Sequence, residues 1–117
     1  MHELAIADSV ARIVLDQAAG RRVTRVGMRI GHLRQVVPSA LTFSFELLVQ
    51  GTDAEGATLD IEAVEAAGEC RRCGVESRLA GFPLSCGACG SLDIQVVRGE
   101  ELLVDWVEID DAVTTSV

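Results

Sequence analysis

Four cysteines stand in two pairs of the same spacing, Cys70-Arg71-Arg72-Cys73-Gly74 and Cys86-Gly87-Ala88-Cys89-Gly90, with twelve residues between Cys73 and Cys86. Two intervening residues let both sulfurs of a pair reach one ion. The glycine after each pair permits the tight turn that aims backbone N–H groups at the thiolates. Two such pairs complete a closed tetrahedron with zinc–sulfur distances near ~2.3 Å. Other uses of the thiols fit less well. Disulfides need an oxidising compartment, and the N-terminus lacks the charged head and apolar stretch of an export signal. A redox dithiol would need only one pair. Iron in an all-sulfur site takes the same ligands and stays open. A shell of four thiolates leaves no position for substrate or water, so its expected role is structural, its binding free energy being folding free energy.

Met1-His2-Glu3 is the second candidate. The free amine of Met1, the backbone nitrogen of His2 and its imidazole can close adjacent five- and six-membered chelate rings on one ion. The backbone nitrogen or the carboxylate of Glu3 stands beside them as a fourth donor. A nitrogen-rich planar set suits Ni²⁺ or Cu²⁺ rather than Mg²⁺ or Ca²⁺, and the usual affinity order puts Cu²⁺ first. The only other histidine, His32, falls in a loop and could close such a shell, although an exposed loop residue is the simpler reading.

These residues need elements to hold them. Leu4, Ile6, Val10, Ile13, Val14 and Ala18 follow a helical period over 4–19, and Gly20 is a fitting stop. Val23 to Ile30 alternates, with Val26, Met28 and Ile30 on one face and Arg25 and Arg29 on the other, as in a half-buried strand. Gly31 opens a loop to Pro38, which suits the first position of a second helix carrying Leu41, Phe45 and Leu48 to about Gln50. Thr58–Val64 and Glu101–Ile109 alternate again, and Asp110 to Val117 reads as a loose tail. The expected fold is α+β: a three-stranded sheet with two helices on one face and an inserted zinc-ribbon-like module of four cysteines. The strands flanking the module are expected to pair. Residues 1–66 and 100–110 would form one domain and 67–99 the zinc-binding domain. Trp106, on the last strand, would anchor the module to the sheet.

The formal charge is −8, and all ten basic residues are Arg. Four thiolates around one Zn²⁺ would take it to −10. Such a field repels phosphate backbones and favours cationic metals or basic partner surfaces, which argues against nucleic acid as a partner. No apolar run approaches the ~20 residues needed to cross a bilayer, so no membrane partner and a cytoplasmic location are expected. No nucleophile motif, phosphate loop or open metal site points to an enzyme. A zinc-ribbon module for nucleic acid or protein interaction remains the alternative, and it accounts for the cysteines alone.

Met1-His2-Glu3-Leu4, Ile30-Gly31-His32-Leu33 and Pro38-Ser39-Ala40-Leu41-Thr42-Phe43-Ser44-Phe45-Glu46, followed by the two cysteine pairs, resemble the HypA/HybF family of hydrogenase maturation factors. The resemblance runs to about residue 109. It implies a nickel metallochaperone that binds Ni(II) as transient cargo at its N-terminus and helps insert it into the [NiFe]-hydrogenase large subunit. The Met1 amine, His2 and Glu3 would supply nickel ligands, and Cys70, Cys73, Cys86 and Cys89 would hold structural Zn(II). A nickel-supplying GTPase and the hydrogenase large-subunit precursor are the implied partners. A homodimer and a role for urease stay open. Some members carry an acidic residue in the loop after the first strand. This chain has none between Ile30 and Val37, and Val37 occupies about that place.

Overall fold

The structure, a computed structural model, describes residues 2–110; Met1 and the tail from residue 111 lie outside the described residues. The elements in chain order are α1 (His2–Ala18), β1 (Val23–Gly31), a 3-10 turn (His32–Arg34), α2 (Pro38–Leu48), β2 (Thr58–Val64), β3 (Ala67–Cys70), β4 (Glu76–Arg78), β5 (Ile94–Arg98) and β6 (Leu102–Ile109). Two three-stranded sheets result, ordered β2-β1-β6 and β4-β3-β5. The described residues divide into two units, one of 2–28, Val36–Glu62 and 103–110, the other of Arg29–Gln35 and Ala63–Leu102. Among them no helix is long and apolar enough to cross a membrane.

In the first unit α1 starts at His2, two residues earlier than its periodicity suggests, so His2 and Glu3 form part of its first turn. An acidic residue there is favoured by the partial positive charge of the helix N-terminus. The buried stripe is Ala7, Val10, Ala11, Val14 and Ala18, a spacing of three and four residues that makes one face. Leu4 and Ile13, expected in the core, are 49% and 47% exposed. Alanines take their place because α2 packs directly against α1, and small side chains permit the approach. Pro38 opens α2 as expected, and Leu41 and Phe45 are fully buried beneath it, with Val26 and Met28 of β1.

The expected pairing of the strands on either side of the cysteine module does not occur. Central β1 separates β2 from β6, since β1 is the strand richest in buried apolar residues and the middle of a sheet is its most protected place. Trp106 also has a different seat from the one expected. Its indole covers Gly27 of β1, so closely that a Cβ there would collide with the ring. The Arg25 guanidinium sits 5.5 Å from the ring centroid and pairs with Asp60 of β2. Trp106, Arg25 and Asp60, one residue from each strand, are thus linked across this sheet.

In the second unit β3 is central and antiparallel to both neighbours. Gly68 pairs with Ser77 and Val96, and Cys70 with Ile94 at the strand's end. These three strands lie inside and around the Cys-rich stretch, where runs of three to five mixed residues leave no period to read.

Candidate metal centres

Each cysteine pair sits on a turn of the same construction. The Arg72 and Cys73 amides donate to Cys70 Sγ, both at 3.4 Å. The Ala88 and Cys89 amides donate to Cys86 Sγ at 3.3 and 3.4 Å. Each turn closes when the following glycine donates its amide to the first cysteine's carbonyl, Gly74 to Cys70 at 2.8 Å and Gly90 to Cys86 at 2.9 Å. Both glycines have positive φ, 79° and 77°, a conformation that would strain a residue with a Cβ. The turns are in turn tied to strand and loop: Cys70 N–H donates to Val75 O at 3.0 Å and Cys86 N–H to Ser91 O at 2.8 Å.

The turns bring all four sulfurs within 4.8 Å of one another. Cys70 and Cys89 Sγ are 3.7 Å apart, and Cys73 and Cys86 Sγ 3.6 Å. Four sulfurs each ~2.3 Å from a central ion would lie about 3.8 Å apart, whereas a disulfide needs about 2.05 Å. All four thiols are free, and the arrangement fits a tetrahedral metal ion. Its electrostatics point the same way. Amides from Cys89 and Ala88 pull the Cys86 thiol down to about 6, and amides led by that of Cys73 lower Cys70. Cys73 goes up to about 12: the Val75 amide favours its thiolate, but desolvation and the three neighbouring sulfurs outweigh it. Sulfurs this close cannot all be anionic without a cation among them. Arg71, inside the first cysteine pair, does not neutralise the thiolates but pairs with Asp93 at 3.1 Å. The thiolate charge is met by backbone amides.

The N-terminal candidates lie in the first unit. The His2 side chain is 52% exposed, and its Nε2 lies 3.1 Å from Glu3 Oε2. Glu3 is buried, and its Oε2 also accepts the Val37 N–H at 3.0 Å. That amide is the chief cause of a carboxyl pKa lowered to about 2. No sequence signal announces this link, which joins residues 34 apart. His32 is exposed at the start of the 3-10 turn in the second unit, which the Leu33 N–H fastens to Gly99 O at 2.9 Å. The cysteine cluster is the only group of three or more His, Cys, Asp or Glu side chains close enough to hold an ion among the described residues.

Two helices, a three-stranded sheet and a four-cysteine cluster on paired turns define a small α+β metal-binding protein. The model of the HypA family, described as hydrogenase/urease nickel incorporation metallochaperones, matches residues 1–109. The hydrogenase maturation factor HypA of Geobacter metallireducens is 46% identical over 110 residues, 94% of this chain and 100% of its own. That of Geotalea uraniireducens is 44% identical over the same share of each chain. The solution structure of the Ni metallochaperone HypA from Helicobacter pylori matches with a TM-score of 0.66 at 20% identity, covering 92% of this chain and 96% of that one, a likeness of fold. The chain belongs to the HypA family; it is a nickel-incorporation maturation factor and not an enzyme.

Proposed function

We propose that this chain carries Ni(II) as transient cargo at its N-terminus and yields it to a [NiFe]-hydrogenase large-subunit precursor. A Zn(II) held by Cys70, Cys73, Cys86 and Cys89 keeps the second unit folded. The observation that carries the terminal reading is His2 itself, the first residue of α1 with its imidazole half exposed. The Met1 amine, the His2 backbone nitrogen and the imidazole Nδ1 form the adjacent five- and six-membered rings, and Glu3 stands next in the chain. The first N–H groups of a helix have no intrahelical acceptor, so a metal on the His2 backbone nitrogen breaks no helical hydrogen bond. Chelate chemistry alone accepts copper; membership of a nickel-incorporation family favours nickel. For the sulfur site, a closed tetrahedron of four thiolates is the ligand set of structural zinc.

An exposed terminal chelate can be taken apart donor by donor as acceptor ligands replace it, which suits a carrier. In this reading residues 1–66 with 100–110 serve nickel and 67–99 serve zinc. The partners are a nickel-supplying GTPase upstream and the large-subunit precursor downstream, in the cytoplasm. A net charge of −8 suits basic partner surfaces and not nucleic acid. Isothermal titration of Ni²⁺ into the full untagged chain and its His2→Ala variant tests the proposal. Tight binding by the parent that the variant loses is expected; equal binding by both would refute the terminal site.

A further inference from the structure

The Glu3 carboxylate links the first turn of α1 to the entrance of α2. One oxygen, Oε2, serves both the His2 imidazole at 3.1 Å and the Val37 amide at 3.0 Å. Only 9% of the residue is exposed. An acidic side chain on a first helical turn ordinarily reaches water, whereas this one folds inward.

We propose that Glu3 is a positioning residue: its carboxylate holds the His2 imidazole in the Nε2–H tautomer, leaves Nδ1 free for nickel, and does not itself bind the ion. The proposal rests on the terminal nickel reading and resolves which atoms of Glu3 take part in it. Ring size comes first. Only Nδ1 closes a six-membered ring with the His2 backbone nitrogen, while Nε2 lies on the far side of the imidazole. Nε2 is the atom facing the carboxylate, so it carries the proton and donates it. A carboxylate on the non-ligating N–H of a metal-binding histidine fixes the ring's tautomer and orientation and raises the basicity of the ligating nitrogen.

Engagement comes second. Val37 is the N-cap of α2 and no side chain caps that helix. The Val37 amide finds its acceptor in Glu3, and drawing the carboxylate onto a metal would leave a part-buried donor without this partner. Charge comes third. A helix N-terminus carries roughly +0.5 of a charge, which opposes a cation there. A carboxylate held ionised beside the imidazole offsets that opposition from outside the coordination shell.

The test uses the full untagged chain, Ni²⁺ alone as probe, and the variants Glu3→Gln and Glu3→Ala. Glu3→Gln keeps an acceptor oxygen and the side-chain size. The readouts are the His2 tautomer from its ring nitrogen shifts, the Val37 amide resonance, nickel affinity, and the X-ray absorption and d–d spectra of bound nickel. In Glu3→Ala the Val37 amide should shift, the two tautomers should mix, and affinity should fall by about 10- to 100-fold. The spectra at saturation should keep the parent's donor set, and Glu3→Gln should recover part of the affinity. Loss of an oxygen donor from the spectra in both variants would overturn the proposal and make Glu3 a ligand. Unchanged affinity and tautomer beside a shifted Val37 amide would also overturn it, leaving Glu3 a residue of helix packing. His2→Ala separates the wider reading: if it binds Ni²⁺ as tightly as the parent, the terminal site itself fails. If it loses binding, the Glu3 results decide the proposal alone. Amide dispersion across α1 reports folding, and if Glu3→Ala loses it, Glu3→Gln carries the test.

Discussion

The two candidate metal regions are held in different ways. In the second unit the backbone supplies most of the constraint: two matched turns, four N–H···S contacts and a three-stranded sheet fix the sulfurs at the spacing of a tetrahedron. In the first unit the N-terminal candidates are two neighbouring side chains on the opening turn of a helix, one half exposed and one latched to Val37. A set of ligands gathered before the ion arrives favours retention, because a donor that lets go is held beside the ion and rebinds. A set assembled at a chain end favours exchange, because donors can leave singly. On the proposed reading, one chain would keep one metal and pass on another.

The sharpest way to break this contrast is Cys73→Ala. It should lose the bound metal and, with it, folding free energy on the order of 10 kcal/mol, as in structural zinc sites. Amide dispersion over 67–99 should collapse while resonances of α1 persist. Dispersion retained without metal would mean that the sheet, and not the ion, holds the module.

Metal release sharpens it next. Against a competing chelator, nickel should leave in a fast phase that His2→Ala abolishes, and zinc should remain bound throughout. Zinc leaving as fast as nickel would erase the distinction between the two regions.

A smaller effect isolates the first unit. Gly27→Ala puts a methyl group where the indole of Trp106 lies, and overpacking of this kind costs about 1–3 kcal/mol. Trp106 is the only tryptophan, so its emission should shift to the red and the unfolding midpoint should fall with zinc still bound. An unchanged emission spectrum would show that the ring does not rest on Gly27.

The smallest effect is a pH dependence. Glu3 titrates near 2 in the folded chain, below its ordinary 4.5. A depressed carboxyl pKa stabilises the fold above the ordinary value, and that contribution is lost as pH falls from 4.5 through 2. The Val37 amide shift of the metal-free chain should follow a midpoint near 2; a midpoint near 4.5 would mean that the latch is not made.

Features carried by spacing were legible in the sequence. The cysteine pairs announce a shared ion, and the alternation of Val26, Met28 and Ile30 and the position of Pro38 locate β1 and α2 closely. Features decided by tertiary contact were not. Ile13 scores as a core residue by type, yet Ala7, Ala11 and Ala18 fill the face of α1 because α2 approaches so near. The order β2-β1-β6 and the seat of Trp106 over Gly27 depend on partners far apart in the chain. At the N-terminus the residue types were visible, but the hydrogen bond from Val37 to Glu3 was not, since nothing in either segment names the other.

The most direct measurement is a nickel titration of the chain acetylated at the Met1 amine, the only amine in a chain without lysine. Acetylation leaves every side chain in place and removes the terminal amine from the five-membered ring without supplying another donor. The expected result is loss of tight Ni²⁺ binding with zinc content unchanged. Nickel bound as tightly by the acetylated chain as by the parent would contradict a terminal chelate and move the cargo site elsewhere in the molecule.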